Sequence, residues 1–263
     1  MRTHSLNKKS IPITVVAIAC GLSAGAFGQD KADGEWRGIG GASLATTSGN
    51  TSTTNVLLNA DMARATAADK ISLGAMVNYA RGKNAGVSQT TADKWAAQGE
   101  YDYNLSPQLF VFGKLGLEAD KIIDLSLRTS MAGGVGYKLI ETKELAFTVF
   151  GGLGYTTDKY SVNQTVGGDT GRKFSRTSLY VGEESSHQVA PNVAFKQRLD
   201  LYPGLTGDKA FLARFNAGLS VAMSTTLNLT VAVVDTYNSR PPVGLKRNDL
   251  GIFTGVNVKF GAL

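Results

Sequence analysis

His187 is the one histidine beyond residue 30 of this 263-residue chain. It stands in Ser185-Ser186-His187-Gln188, where a hydroxyl beside an imidazole could give hydrolase chemistry. A solvated turn histidine accounts for the same four residues. Glu100, Asp102 and Glu118 could form an acid/base set, but Lys114, Arg128 and Lys138 nearby make ion pairing the simpler reading. Gly133-Gly134-Val135-Gly136 and Gly151-Gly152-Leu153-Gly154 lack the Gly-Lys-Ser/Thr and the following helix of a phosphate loop. The stretch 158–173 carries Asp158, Lys159, Asp169, Arg172 and Lys173 without metal-ligand spacing. It reads as the longest polar surface loop, solvated or ligand-binding. Cys20 is the single cysteine, so neither an intrachain disulfide nor a cysteine zinc site is available. The expectation is a protein that is not an enzyme, with no catalytic residues, no cofactor and no metal.

The elements that would position these residues begin after an address label. Residues 1–10 carry Arg2, Lys8 and Lys9 and no acid; 11–27 are apolar; Ala26-Phe27-Gly28 is a small-x-small cleavage pattern before Gln29. That order is a secretory signal peptide over 1–28, ahead of a short segment 29–34 and one domain over 35–263. A membrane anchor and lipidation at Cys20 are the alternatives. Gly21, Gly25 and the following Asp30, Lys31 and Asp33 disfavour the anchor, and Ile18 disfavours lipidation. Cleavage removes three of the charges behind the net +6, so a basic nucleic-acid surface is not indicated.

Past residue 34 no apolar run is long enough for a helical span. A period of two recurs instead. Leu109, Val111, Leu115 and Leu117 share one face, with Lys114, Gly116 and Glu118 between them. Leu227, Leu229, Val231 and Val233 repeat the pattern, as do Ile252, Val256, Val258 and Phe260. Twelve such segments fall at about 35–47, 52–66, 70–82, 91–104, 108–119, 125–139, 144–157, 174–186, 192–203, 209–223, 226–237 and 249–262. Segment 174–186 alternates poorly because of Arg176, Glu183 and Glu184. Short connections (67–69, 105–107, 141–143, 224–225) alternate with longer polar ones (83–90, 120–124, 158–173, 204–208, 238–248). The turn 48–50 is short for its side, and 187–191 is long for its own.

An even number of long strands with one apolar face, short turns at one end and long loops at the other predicts an all-β fold. The specific form is a transmembrane antiparallel up-and-down β-barrel of the outer-membrane type, of about 12 strands. The short turns and both ends of the domain then lie on the inner side, where His187 is remote from outer-leaflet lipid. Parity places Arg37, Asp61, Glu100, Asp102, Lys114, Glu118, Arg128, Lys138, Lys196, Arg198, Asp200, Arg214 and Lys259 in the lumen, eight basic and five acidic. Trp36, Trp95, Tyr101, Tyr103, Tyr137 and Phe260 fall near strand ends as interfacial aromatics. Arg64 departs from the pattern: it shares the face of Val56, Leu58 and Met62, close enough to a turn for its side chain to reach headgroups. A soluble β-sandwich, with the apolar face buried and the charges in water, shares the same periodicity.

Several stretches carry a resemblance. They are Gly49-Asn50-Thr51, Tyr101-Asp102-Tyr103 with Leu105-Ser106-Pro107 and Leu109-Phe110, and Asp124-Leu125 with Arg128. Gly133-Gly134-Val135-Gly136-Tyr137, Tyr202-Pro203, and Pro241-Pro242-Val243-Gly244-Leu245-Lys246 with Asp249 complete them. In order and spacing the chain resembles a family of salt-induced outer-membrane proteins of Gram-negative bacteria, a domain of unknown function. The resemblance implies an outer-membrane β-barrel and supplies no established activity; the leader implies export through the inner membrane, and the polar interior suits a porin-like or structural role. The barrel's partners would be outer-membrane lipid and the barrel assembly machinery, without nucleic acid. Three roles follow. One is a narrow passive channel, weakly anion-preferring from its eight-to-five charge excess and tied to salt or osmotic response. The second is a structural or interaction barrel with an occluded lumen. The third, least favoured, is an outer-membrane lipid hydrolase.

Overall fold

A computed structural model of the chain describes residues 32–47, 51–84 and 87–261. The expected leader over 1–28 and the turn at 48–50 lie outside the described residues. Twelve strands follow one another: β1 (Trp36–Thr47), β2 (Thr51–Ala65), β3 (Asp69–Asn84), β4 (Val87–Asn104), β5 (Leu109–Asp120), β6 (Leu125–Glu141), β7 (Leu145–Val166), β8 (Asp169–Ala190), β9 (Val193–Pro203), β10 (Phe211–Ala222), β11 (Leu227–Asn238) and β12 (Asn248–Gly261). Each pairs antiparallel with its neighbours in sequence, and β1 closes on β12 with Arg37 opposite Gly261 and Ala42 opposite Val256. Closure removes both sheet edges.

The period-two pattern becomes two surfaces. Val77, Trp95, Val111, Met131, Leu153, Leu179, Leu219, Val231 and Ile252 are all exposed although apolar, and Phe110, Phe112, Arg128, Asp158, Tyr180 and Asp200, one register step away, are buried. An exposed apolar belt around a closed barrel is a surface built to meet hydrocarbon, not water.

The short turns, at the end expected from the sequence to face inward, reuse one device. Thr66, Ser106, Thr142 and Ser224 each accept, on the side-chain oxygen, the N–H of the residue three on: Asp69 at 3.0 Å, Leu109 at 2.9 Å, Leu145 at 3.0 Å and Leu227 at 3.0 Å. The hydroxyl satisfies a donor that the turn would otherwise leave unpaired.

Two expectations change. Residues 158–173 are not a loop. β7 and β8 run 22 residues each and meet at Gly167-Gly168, with φ of 63° and 100°. Two successive residues with positive φ favour a tight hairpin turn, and two glycines supply them without strain. The inner stretch 187–191 is likewise mostly strand, with a register shift between Gln188 and Ala190 against β9.

Gly134 and Gly152 face each other across β6 and β7. A Cβ on Gly134 would run into the carbonyl of Gly151 and lie 2.6 Å from the Cα of Gly152. The backbones come together there because neither carries a side chain. Gly40, by contrast, has nothing within 4 Å of where a Cβ would stand. Gly134→Val is therefore expected to cost about 3 kcal/mol, whereas Gly40→Ala should be tolerated. The check is the fraction of heat-modifiable, fast-migrating barrel on a gel of the membrane fraction.

Candidate functional site in the barrel interior

The inward face of β4, β5, β8 and β9 builds a first ionic cluster. Glu100 and Arg198 meet across the lumen, from β4 to β9, with Arg198 Nη2 2.9 Å from Glu100 Oε2. Arg198 also contacts Glu184 Oε2 at 2.9 Å and Asp200 Oδ1 at 3.2 Å. Lys114 lies 3.8 Å from Glu100 and 3.5 Å from Asp200. The Tyr180 hydroxyl donates to Asp200 at 2.5 Å and accepts from Arg198 at 3.1 Å. The guanidinium sits 4.8 Å from the centre of the Phe150 ring, a distance at which the ring quadrupole attracts a cation.

A second cluster fills the outer half. Glu118 draws Lys94 at 3.0 Å, Arg128 at 3.6 Å and, across the lumen from β10, Arg214 at 3.5 Å. Arg128 grips Asp158 with two bonds of 2.6 Å and 3.1 Å. Arg176 continues the chain, 3.3 Å from both Asp158 and Asp208. Asp208 belongs to the outer connection between β9 and β10, so this network ties the outer mouth down onto the wall. Arg240, from the connection between β11 and β12, donates to the Asp208 carbonyl at 2.6 Å.

Apolar side chains occupy the space between the charges. Phe110, Phe112, Phe150, Tyr180, Tyr202 and Leu212 form one inward cluster. Its rings meet edge to face, with centroids 5.8 Å apart for Phe110–Phe150 and 5.6 Å for Phe112–Phe150, the arrangement ring quadrupoles favour. Leu57, Met76, Ala96 and Val234, with Phe253 against them, form another between β2–β4 and β11–β12. Below the first cluster a vestibule of about 650 Å³ lies at the inner mouth, lined by Lys70, Asp102, Lys138, Lys196 and Ser186 among others and bounded by Glu100, Phe110 and Phe150.

Of the thirteen residues expected in the lumen, Glu100, Lys114, Glu118, Arg128, Arg198, Asp200 and Arg214 join the two clusters. Asp61 is buried, and a Cβ on Gly74 would lie 2.7 Å from its Oδ1. Asp102, Lys138 and Lys196 line the vestibule, Lys138 lying 3.4 Å from Glu141. Lys259 is half-buried opposite Ile39. Arg37 sits at the inner rim, donating to Asp33 at 2.8 Å and 2.5 Å. That guanidinium holds the Asp33 carboxyl well below the usual carboxylate range. The pair's contribution is complete above ~3.9, the unfolded value, and is lost as pH falls through the lowered folded value.

Parity also reaches residues absent from that list. Lys94 shares the face of Glu100 and Asp102. Asp158 continues the inward run of Phe150 and Thr156, in a stretch whose polar residues on both faces conceal the strand period. Arg176 and Glu184 lie on the face of Tyr180, in the segment that alternates poorly. With them, the paired charges balance: Lys94, Lys114, Arg128, Arg176, Arg198 and Arg214 against Glu100, Glu118, Asp158, Glu184, Asp200 and Asp208.

The rims complete the picture. Trp36, Trp95, Tyr101, Tyr103, Tyr137 and Phe260 are all exposed, joined by Tyr79 and Tyr155. At the inner end the Tyr101 hydroxyl donates to Asp69 at 3.3 Å and that of Tyr137 to Gln108 at 3.1 Å. Arg64 is explained here: opposite Trp36 and Ile71, it donates to the Gly34 carbonyl at 2.8 Å, at the inner rim of the apolar belt. His187 lies within β8, opposite Leu145, and not in a connection. Its ring is 6.0 Å from that of Phe195, and the Ser185 hydroxyl has no hydrogen-bond partner, so no serine–base pair is formed. Among the described residues no group of three or more His, Cys, Asp or Glu side chains is placed to hold a metal ion.

The closed antiparallel wall, apolar belt and polar, ion-paired interior define an integral outer-membrane-type β-barrel. Residues 40–260 match the family described as "Protein of unknown function, DUF481", and the chain belongs to that family. No curated protein matches it. Among solved structures it is similar to the NanC porin, at 13% identity and TM-score 0.45, over 86% of this chain and 100% of that one. It is similar also to the COG4313 outer membrane channel from Pseudomonas putida F1, at 11% identity and TM-score 0.49, over 92% and 100%. A third is the translocator domain of the autotransporter NalP from Neisseria meningitidis, at 14% identity and TM-score 0.46, over 88% and 90%.

Removing Arg198 would leave the largely buried Glu100 and Asp200 to share Lys114, at 3.8 Å and 3.5 Å. Arg198→Met is expected to destabilise the barrel by about 3–5 kcal/mol. Adding Glu100→Gln should recover part of that loss, with a coupling of about 1–3 kcal/mol. Urea unfolding in detergent, followed by tryptophan fluorescence, measures both.

Proposed function

We propose that the protein is an outer-membrane barrel, exported through the inner membrane, with a structural or interaction role and a lumen closed in its resting state. The observation that carries this reading is the transverse Arg198–Glu100 contact of 2.9 Å. It spans β9 to β4, with the Phe110–Phe150–Tyr180 cluster packed beside it. A twelve-stranded barrel lies between the small barrels filled by side chains and the wide ones that hold an aqueous channel. Here the side chains support the filled end of that range. Within the two clusters six cations meet six anions, so the pairing there supplies no cationic excess. His187 and Ser185 share no hydrogen bond, and this reading assigns them no catalytic part.

The inner vestibule of about 650 Å³ favours a second reading, a narrow channel that conducts once the transverse pairs part. The two readings separate in a planar bilayer. The native protein should give no steady conductance, and Arg198→Ala combined with Arg214→Ala should open a small, steady one. A native protein that conducts continuously would support the channel and overturn the closed barrel.

A further inference from the structure

The outward face of the β7–β8 hairpin holds an arrangement that the closed barrel does not use. Lys159 and Lys173 are direct cross-strand partners. Both are exposed, and they share the outward parity of Leu153, Tyr155 and Leu179, all exposed on the lipid-facing wall. Neither has an ion-pair partner among the described residues. Like charges directly opposite each other on one face of an antiparallel pair destabilise the sheet, so the position calls for an anion.

The level on the wall says which anion. Two residues inward of the pair on the same face, the Thr157 and Ser175 hydroxyls bond to each other at 3.1 Å, and two residues further lies the Tyr155 ring. Aromatic rings mark the boundary of the hydrocarbon core. Four residues beyond it along the strand is the headgroup layer, where charged groups of a lipid lie. The pair is also the last regular one before a register shift between Lys159 and Gln164. Two ammonium groups on the lateral surface, with two hydroxyls below them, suit a phosphate ester held from the side.

We propose that Lys159 and Lys173 form a docking site for the phosphorylated headgroup of an outer-leaflet glycolipid. The proposal rests on the outer-membrane barrel proposed above and on the expected orientation, with the short turns facing inward. Each lysine supplies a charge-assisted bond to phosphate oxygen, while Tyr155, Leu153 and Leu179 continue the contact along the acyl chains. Occupancy relieves the repulsion between the lysines and anchors the longest hairpin of the barrel in its leaflet.

The test uses the full-length, folded protein in nanodiscs, with diphosphoryl lipid A as probe and phosphatidylglycerol as control, read by native mass spectrometry after detergent exchange. The native protein should retain lipid A in preference to phosphatidylglycerol. Lys159→Gln with Lys173→Gln should lower that retention about tenfold, and Lys159→Arg with Lys173→Arg should keep it. Equal retention of the two lipids, or of lipid A by native and glutamine variants, overturns the site. A second measurement separates this failure from that of the orientation. Asn163→Cys on the hairpin should react with a membrane-impermeant maleimide on intact cells. Labelled cells without lipid A retention overturn the lysine site alone. Unlabelled cells overturn the orientation and, with it, the site.

Discussion

Every backbone N–H and C=O inside hydrocarbon must find its partner within the protein. β1 meets this demand by pairing with β12, and most of the remaining architecture follows from that closure. A closed wall has no edge, so each strand presents one face to lipid and one to a confined interior. Val77, Leu153 and Ile252 are exposed because lipid is their solvent. Phe112, Arg128 and Asp200 are buried because the lumen is narrow enough for side chains to meet across it.

Confinement changes what charges can do. On an open surface an ion pair gains little over hydration. Within this wall Arg198 cannot reach bulk water, and its guanidinium is shared among Glu100, Glu184, Asp200 and the Tyr180 hydroxyl. Multiple partners offset the cost of desolvation better than a single contact would. The Phe150 ring beside it excludes water and adds attraction. The polar and aromatic parts of the interior thus support each other: the rings lower the local dielectric, and the low dielectric strengthens the pairing.

Much of this was legible in alternation alone, because a strand exposes its two faces with a period of two. The faces of Leu115 and Lys114, or of Val258 and Lys259, separate cleanly in the sequence. Three things did not. Asp158 and its neighbours looked like a loop, since polar residues on both faces beyond the membrane erase the pattern that marks a strand. Phe110, Phe112 and Tyr180 lie inside, although a lumen-facing residue is expected to be polar. Periodicity reports which residues share a face, and not how tightly the far walls approach. The Arg198–Glu100 and Arg214–Glu118 contacts cross the barrel between residues nearly a hundred positions apart, and no local signal encodes them.

Why an interior this densely packed is ionic at all, when apolar side chains could fill it, can be argued from register. A strand apolar on both faces would have no preferred side for lipid, and a slip by one residue would cost it little. With Lys94, Lys114, Arg128 and Arg198 on one face, the same slip would carry several cations into hydrocarbon, each at about 2–4 kcal/mol near the bilayer midplane. It would also strip Glu118 and Asp200 of their partners. The aromatic residues alone could not enforce this, since Phe110 or Tyr180 would be tolerated on either side. The charges therefore specify which face turns inward, and Phe110, Phe150 and Tyr180 then fill the space those charges have defined.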